Sequence, residues 1–140
     1  MVMAVDPGRD KCGIAVLDNT GAIKFQQVIE TSNLNLTLSE LINTFNLQSI
    51  ILGNGTTSKN AKDTISAALM ELGKNIPINV VNESHTTEEA RKLYWQKNPP
   101  SGWRRFLPTS MQVPPVPVDD LVAEILARRF LILENLNVKS

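Results

Sequence analysis

Three short extended runs precede any helical periodicity, and this opening limits the chain to folds that begin with a β-meander. Val2–Val5 is apolar and stops at Asp6-Pro7-Gly8, a strong turn signal. Cys12–Leu17 is apolar with small residues and ends at Asp18-Asn19-Thr20-Gly21, which reads as a hairpin turn. Ala22–Ile29 mixes polar and apolar residues, as an exposed edge strand does. The three runs are expected to pair as an antiparallel meander.

Helical spacing begins next. Leu34, Leu38, Leu41, Ile42 and Phe45 recur at a period near 3.6, so an amphipathic helix is expected over Leu34–Phe45. Ser49–Leu52 reads as a short apolar strand ending in Gly53-Asn54-Gly55. Thr57 or Ser58 is placed to cap a second helix running to about Leu72, with Gly73 as its stop. Ile78–Val81 reads as another buried strand, and Thr86 or Thr87 before Glu88-Glu89 as the head of a third helix reaching about Gln96. Six of the eight prolines fall in 98–118, which argues for a long irregular loop. A final helix is expected over Val118–Leu133, with Asp119 and Asp120 at its positive end.

This order predicts one α/β domain over residues 1–140. Its mixed five-stranded sheet combines the antiparallel meander with two parallel strands and carries helices on both faces. At 140 residues the chain can bury roughly two-thirds of its unfolded surface without staples. Its 14 basic and 14 acidic residues cancel, so any case for nucleic acid must rest on local clustering. Cys12 is the only cysteine and excludes an intrachain disulfide. No signal-like or membrane-spanning stretch is evident, and a cytoplasmic protein is the expectation.

Three carboxylates stand at informative places: Asp6 ends the first strand, Glu83 ends the last, and Asp119 begins the last helix. Ligand sites in α/β sheets gather beyond the carboxyl ends of strands. Three carboxylates brought together there repel one another, and hard divalent cations such as Mg²⁺ or Mn²⁺ relieve that repulsion. Each acid also has a plainer role. Asp6 is a good turn former before Pro7-Gly8, Glu83 suits a solvated strand end, and Asp119 suits a helix cap. Asp120 competes with Asp119 as the third metal ligand.

The segment from Val5 through Asp6-Pro7-Gly8 to Gly13-Ile14-Ala15-Val16 resembles the opening motif of RuvC- and YqgF-type proteins. Asn82-Glu83-Ser84-His85-Thr86-Thr87-Glu88-Glu89-Ala90 is similar to the second motif of the YqgF type, and Val118-Asp119-Asp120-Leu121-Val122-Ala123 to the third. Ile50-Ile51-Leu52-Gly53-Asn54-Gly55-Thr56 is similar to the strand-and-glycine motif of the YqgF-like domain in the transcription accessory protein Tex. The resemblance spans almost the whole chain in order and implies an RNase H-like fold. It further implies a metal-dependent nuclease, with Asp6, Glu83 and Asp119 as catalytic, metal-binding carboxylates for two Mg²⁺ or Mn²⁺ ions. Structured DNA or RNA is the implied partner: a Holliday junction, or the ends of 16S ribosomal RNA. RuvC-type resolvases act as dimers because a four-way junction needs two cuts, so a homodimer is one implied assembly.

The loop segment Trp103-Arg104-Arg105-Phe106 pairs two guanidinium groups with two aromatics, a combination that grips phosphates and stacks on unpaired bases. The same aromatics equally suit pinning a long loop to the core. Lys11, Arg104, Arg105 and Trp103 are the candidate nucleic-acid contacts. Gly53-Asn54-Gly55-Thr56 reads more readily as a tight turn than as a phosphate cradle, His85 as an exposed residue, and Cys12 as a small buried apolar one. Leu126, Phe130 and Leu133 read as core packing of the last helix before they read as a dimer surface. Two other function classes compete. A non-catalytic nucleic-acid-binding domain could keep this fold. A small-molecule phosphotransferase needs two such domains to clasp a nucleotide, which 140 residues do not supply.

Overall fold

A computed structural model of the chain describes residues 1–55, 57–82, 86–99 and 118–139. Five strands and four α-helices follow one another along it. The strands are β1 (Val2–Asp6), β2 (Lys11–Leu17), β3 (Ile23–Glu30), β4 (Ser49–Gly53) and β5 (Ile78–Val81). The helices are α1 (Leu34–Thr44), α2 (Ser58–Glu71), α3 (Thr86–Lys97) and α4 (Asp119–Lys139). A single 3₁₀ turn, Thr31–Asn33, leads into α1.

The sheet runs in the order β3-β2-β1-β4-β5. β1 pairs antiparallel with β2, and β2 with β3; β1 with β4 and β4 with β5 are parallel. The expected meander plus two parallel strands is therefore present. Side chains alternate across a strand, and the two faces bury different partners. Met3, Val5, Ile14, Ile50 and Leu52 pack with Leu38 and Ile42 of α1 and Ile65 and Ala68 of α2. Val2, Ala4, Ala15, Leu17 and Ile51 pack with Leu121, Val122, Ile125 and Leu126 of α4 and Ala90 of α3. Cys12 is fully buried on the first face, as its apolar setting suggests.

Local turn chemistry closes the meander. Asp18 Oδ1 accepts hydrogen bonds from the Thr20 hydroxyl and from the Thr20 and Ala22 amides, while Gly21 sits at φ 90°. The Thr20 hydroxyl and then the Ala22 amide hold the Asp18 carboxyl below its ordinary value. At the C-terminus of α2, Gly73 takes φ 66°, and the Gly73 and Lys74 amides donate to the Met70 and Leu69 carbonyls. That left-handed residue is the helix stop expected from its position.

Several expectations need correction. β5 is not a buried strand: among the described residues it lies at the sheet edge, and Val80 is 48% exposed. Thr57 precedes α2 but its side chain makes no capping hydrogen bond. α4 extends to Lys139, beyond the expected Leu133. Leu126 is buried and Phe130 packs partly against the core, whereas Leu133 is 59% exposed, because α4 outruns the sheet beneath it. No helix among the described residues is long and apolar enough to cross a membrane.

Candidate active site

The parallel pairing of β1, β4 and β5 brings Asp6, Gly53 and Val81 to one carboxyl edge of the sheet. Asp6 is the last residue of β1 and stands opposite Gly13 of β2. Residues directly opposite in an antiparallel pair project to the same face. Val2 and Ala4 face α4, so the period of two puts Asp6 and Gly13 on the α4 side as well.

The absent side chain at Gly13 is what admits α4. A Cβ there would lie 1.8 Å from the Asp119 carbonyl oxygen, 2.0 Å from its carbonyl carbon and 2.5 Å from the Asp120 nitrogen. The head of α4 therefore rests on Gly13, beside Asp6. The Leu121 and Val122 amides donate to the Val118 carbonyl, so Asp119 and Asp120 occupy the first helical turn, where the dipole favours negative charge. Asp119 thus lies inside the helix rather than capping it. The structure brings Asp6 and Asp119 to one edge. Glu83, the third expected acid, lies outside the described residues, as do Trp103, Arg104, Arg105 and His85. Among the described residues no group of three or more acidic, histidine or cysteine side chains could hold a metal.

Asp120 differs from its neighbour. Its Oδ1 accepts from the Leu121 amide at 2.9 Å. Burial raises its carboxyl above the ordinary 3.8, against the pull of the Leu121 amide. Lys11 opens β2 five residues from Asp6 and is exposed to solvent.

Sequence reasoning missed Glu124, one turn below Asp120. It is 2% exposed, the one buried charged side chain among the described residues. Its Oε1 accepts from Lys97 Nζ at 2.8 Å and from Gln26 Nε2 at 2.8 Å, and its Oε2 from Arg128 Nε at 3.0 Å. Gln26 Nε2 also lies 3.1 Å from the Asp120 carbonyl, and Arg128 Nη1 donates to the Gly21 carbonyl at 3.0 Å. One carboxylate thereby ties α4 to α3, to β3 and to the β2–β3 hairpin, and fixes where the head of α4 sits. The available signal was a lone Glu on an otherwise apolar helix face, between Ala123 and Ile125.

Burial pushes the Glu124 carboxyl up, but the hydrogen bonds from Lys97, Gln26 and Arg128 together hold it below its ordinary 4.5. A carboxyl depressed by folding stabilises above its unfolded value, and that contribution is lost as pH falls through the folded value. Glu124→Ala should cost about 1–3 kcal/mol at pH 7. The cost falls below that of a fully buried broken pair because Lys97 and Arg128 are 39% and 43% exposed and can rehydrate. Urea unfolding at pH 7 and pH 3 should show this gap at neutral pH and a narrower one in acid. An equal gap at both would detach the carboxylate's charge from the effect.

Comparison with known proteins places the fold. Residues 1–88 match the family described as the Tex protein YqgF-like domain. The Thermus thermophilus RuvC structure superposes with TM-score 0.53 at 14% identity, covering 94% of this chain and 95% of that one. The fowlpox virus Holliday junction resolvase superposes with TM-score 0.54 at 16% identity, covering 94% and 97%. The same viral resolvase in complex with Holliday junction DNA gives 0.52 at 18% identity over the same shares. No curated protein matches the chain in sequence. The five-stranded mixed sheet and flanking helices are an RNase H-like fold.

Proposed function

The chain belongs to the family of YqgF-like domains of Tex proteins, and on that premise we propose that it is a metal-dependent nuclease acting on structured nucleic acid. The observation that carries this reading is the seating of α4 on Gly13, which sets the acidic head of the helix beside Asp6 at the carboxyl edge. The resolvases that share the fold are consistent with it.

The donor set suits a hard divalent cation. Asp6 and Asp119 would offer carboxylate oxygens from the end of β1 and the first turn of α4, and the missing side chain at Gly13 is what lets those two segments approach. Asp6, Asp119 and Glu83 would hold Mg²⁺ or Mn²⁺, with Asp120 as a further ligand beside Asp119. Such a pair of ions, when bound, supplies an activated water and neutralises the leaving oxygen of a phosphodiester. Lys11 would contact a phosphate next to the scissile one, while Arg104, Arg105 and Trp103 would hold the flanking strand. A homodimer would present two such edges to a four-way junction.

The test is cleavage of labelled four-way junctions and of precursor 16S ribosomal RNA ends in Mg²⁺, in Mn²⁺ and in EDTA. Metal-dependent cutting of either substrate is the expected result, and the preferred one separates a resolvase from an RNA-processing enzyme. Binding of both without cutting in any metal would replace this reading with that of a non-catalytic nucleic-acid-binding domain.

A further inference from the structure

A second polar site sits on the other face of the sheet, behind the Asp6-Pro7-Gly8 turn. It is a cleft of about 160 Å³ between that turn, the 3₁₀ turn and α2. Its floor is apolar, made by Cys12, Leu34 and Ala61. Its rim carries Arg9 from the turn, Thr57 just before α2, and Asn60 and Thr64 from α2. The last three are spaced so that they lie along one face of the helix. No carboxylate lines the cleft, and Arg9 has no ion-pair partner among the described residues.

The walls are held in place independently of any ligand. The Thr31 hydroxyl donates to the Gly8 carbonyl at 2.8 Å, and the Thr31 amide to the Asp10 carbonyl at 2.9 Å. A Cβ at Gly8 would lie 2.1 Å from the Lys11 carbonyl oxygen, so the turn is tight and its shape is set. Thr64 is committed to the Asn60 carbonyl at 3.0 Å, which leaves Arg9, the Asn60 amide and the Thr57 hydroxyl to face a ligand.

We propose that this cleft binds one nucleotide unit of a single-stranded segment, its phosphate on Arg9 and its base over the apolar floor beside Asn60. An unpaired guanidinium selects an anion. An amide at the rim carries both a donor and an acceptor, which suits the polar edge of a base. The inference rests on the nuclease reading in one respect: the same three-residue turn borders the acidic edge, so a strand crossing that edge is led into the cleft. A free mononucleotide carries the same chemistry, and the experiment separates the two sources.

Fluorescence anisotropy would follow a labelled eight-nucleotide single strand, as DNA and as RNA, titrated with the full chain in EDTA, where no cutting occurs. Arg9→Ala and Asn60→Asp should each weaken binding by about tenfold. Arg9→Ala should also reduce the slope of log K against log salt by about 0.7, the loss of one phosphate contact on a single strand. Arg9→Lys should restore part of the affinity. Thermal unfolding checks that both exposed-site variants keep the fold. Wild-type affinity and slope in both variants would overturn the proposal. Binding of AMP that is lost in Arg9→Ala, with oligonucleotide binding unchanged, would overturn the strand assignment in favour of a free nucleotide. Binding is read without metal, so a failed cleavage assay sinks the nuclease reading alone, and unaffected binding sinks this one alone.

Discussion

Asp6→Asn is expected to abolish metal-dependent cleavage while leaving the fold and nucleic-acid binding in place. The change is nearly isosteric, and the residue is half-buried at the end of β1, where four neighbours on that strand are buried and carry the packing. What it removes is one negative charge at the edge where the head of α4 rests. Electrostatic groups that act on the reacting phosphate are each worth roughly 10²–10³ in rate, and a lost metal ligand adds weaker ion binding to that. Single-turnover cleavage at saturating Mg²⁺ and Mn²⁺, alongside an unfolding midpoint within about a degree or two of wild type, is the measurement. Cleavage at the wild-type rate would remove Asp6 from the site. A large fall in midpoint would show that the residue serves the turn at Pro7-Gly8 instead.

Gly13→Ala should be strongly disruptive for a single added methyl group. An alanine in place of glycine usually steadies a strand, because it lowers the entropy of the unfolded chain. Here the added carbon would stand 1.8 Å from a backbone oxygen of α4, with two further backbone atoms within 2.5 Å. Backbone cannot swing aside as a long side chain can, so the head of α4 must lift off the sheet. Glu124, anchored to Lys97, Gln26 and Arg128, opposes that shift. A cost of about 3 kcal/mol or more follows, in the upper part of the range for overpacked cores. That is a fall of roughly 10 °C in midpoint for a domain of this size. Cleavage should fall with it, even under conditions where the variant stays folded, because Asp119 leaves its place beside Asp6. Gly73→Ala is the useful contrast: nothing lies within 4 Å of a Cβ there, and only its φ of 66° resists, at about 1 kcal/mol. If Gly13→Ala behaves like Gly73→Ala, the close approach of α4 is not a constraint.

The two residues were unequally visible in the sequence. Asp6 could be found because it ends an apolar run and precedes Pro7-Gly8, both local signals. Gly13 was visible only as part of a motif, since a glycine inside a strand has many local explanations. Glu124 was invisible in its role, because its partners Lys97 and Gln26 lie 27 and 98 residues away. The burial of β5 was misjudged for a related reason. Ile78–Val81 is as apolar as a central strand, and only the strand order puts it at an edge.

The sequence by itself determined the order of strands and helices, the turns at Asp6-Pro7-Gly8 and Asp18-Asn19-Thr20-Gly21, and the two-faced pattern of the sheet. These follow from φ preferences and from side-chain periods of 2 and 3.6, which act between residues a few positions apart. Tertiary structure alone decided that α4 comes down on Gly13 beside Asp6, that one buried carboxylate holds it there, and that an arginine-rimmed cleft opens behind the same turn. Those outcomes depend on contacts between segments far apart in the chain, where close packing selects one arrangement among many that share the same local pattern.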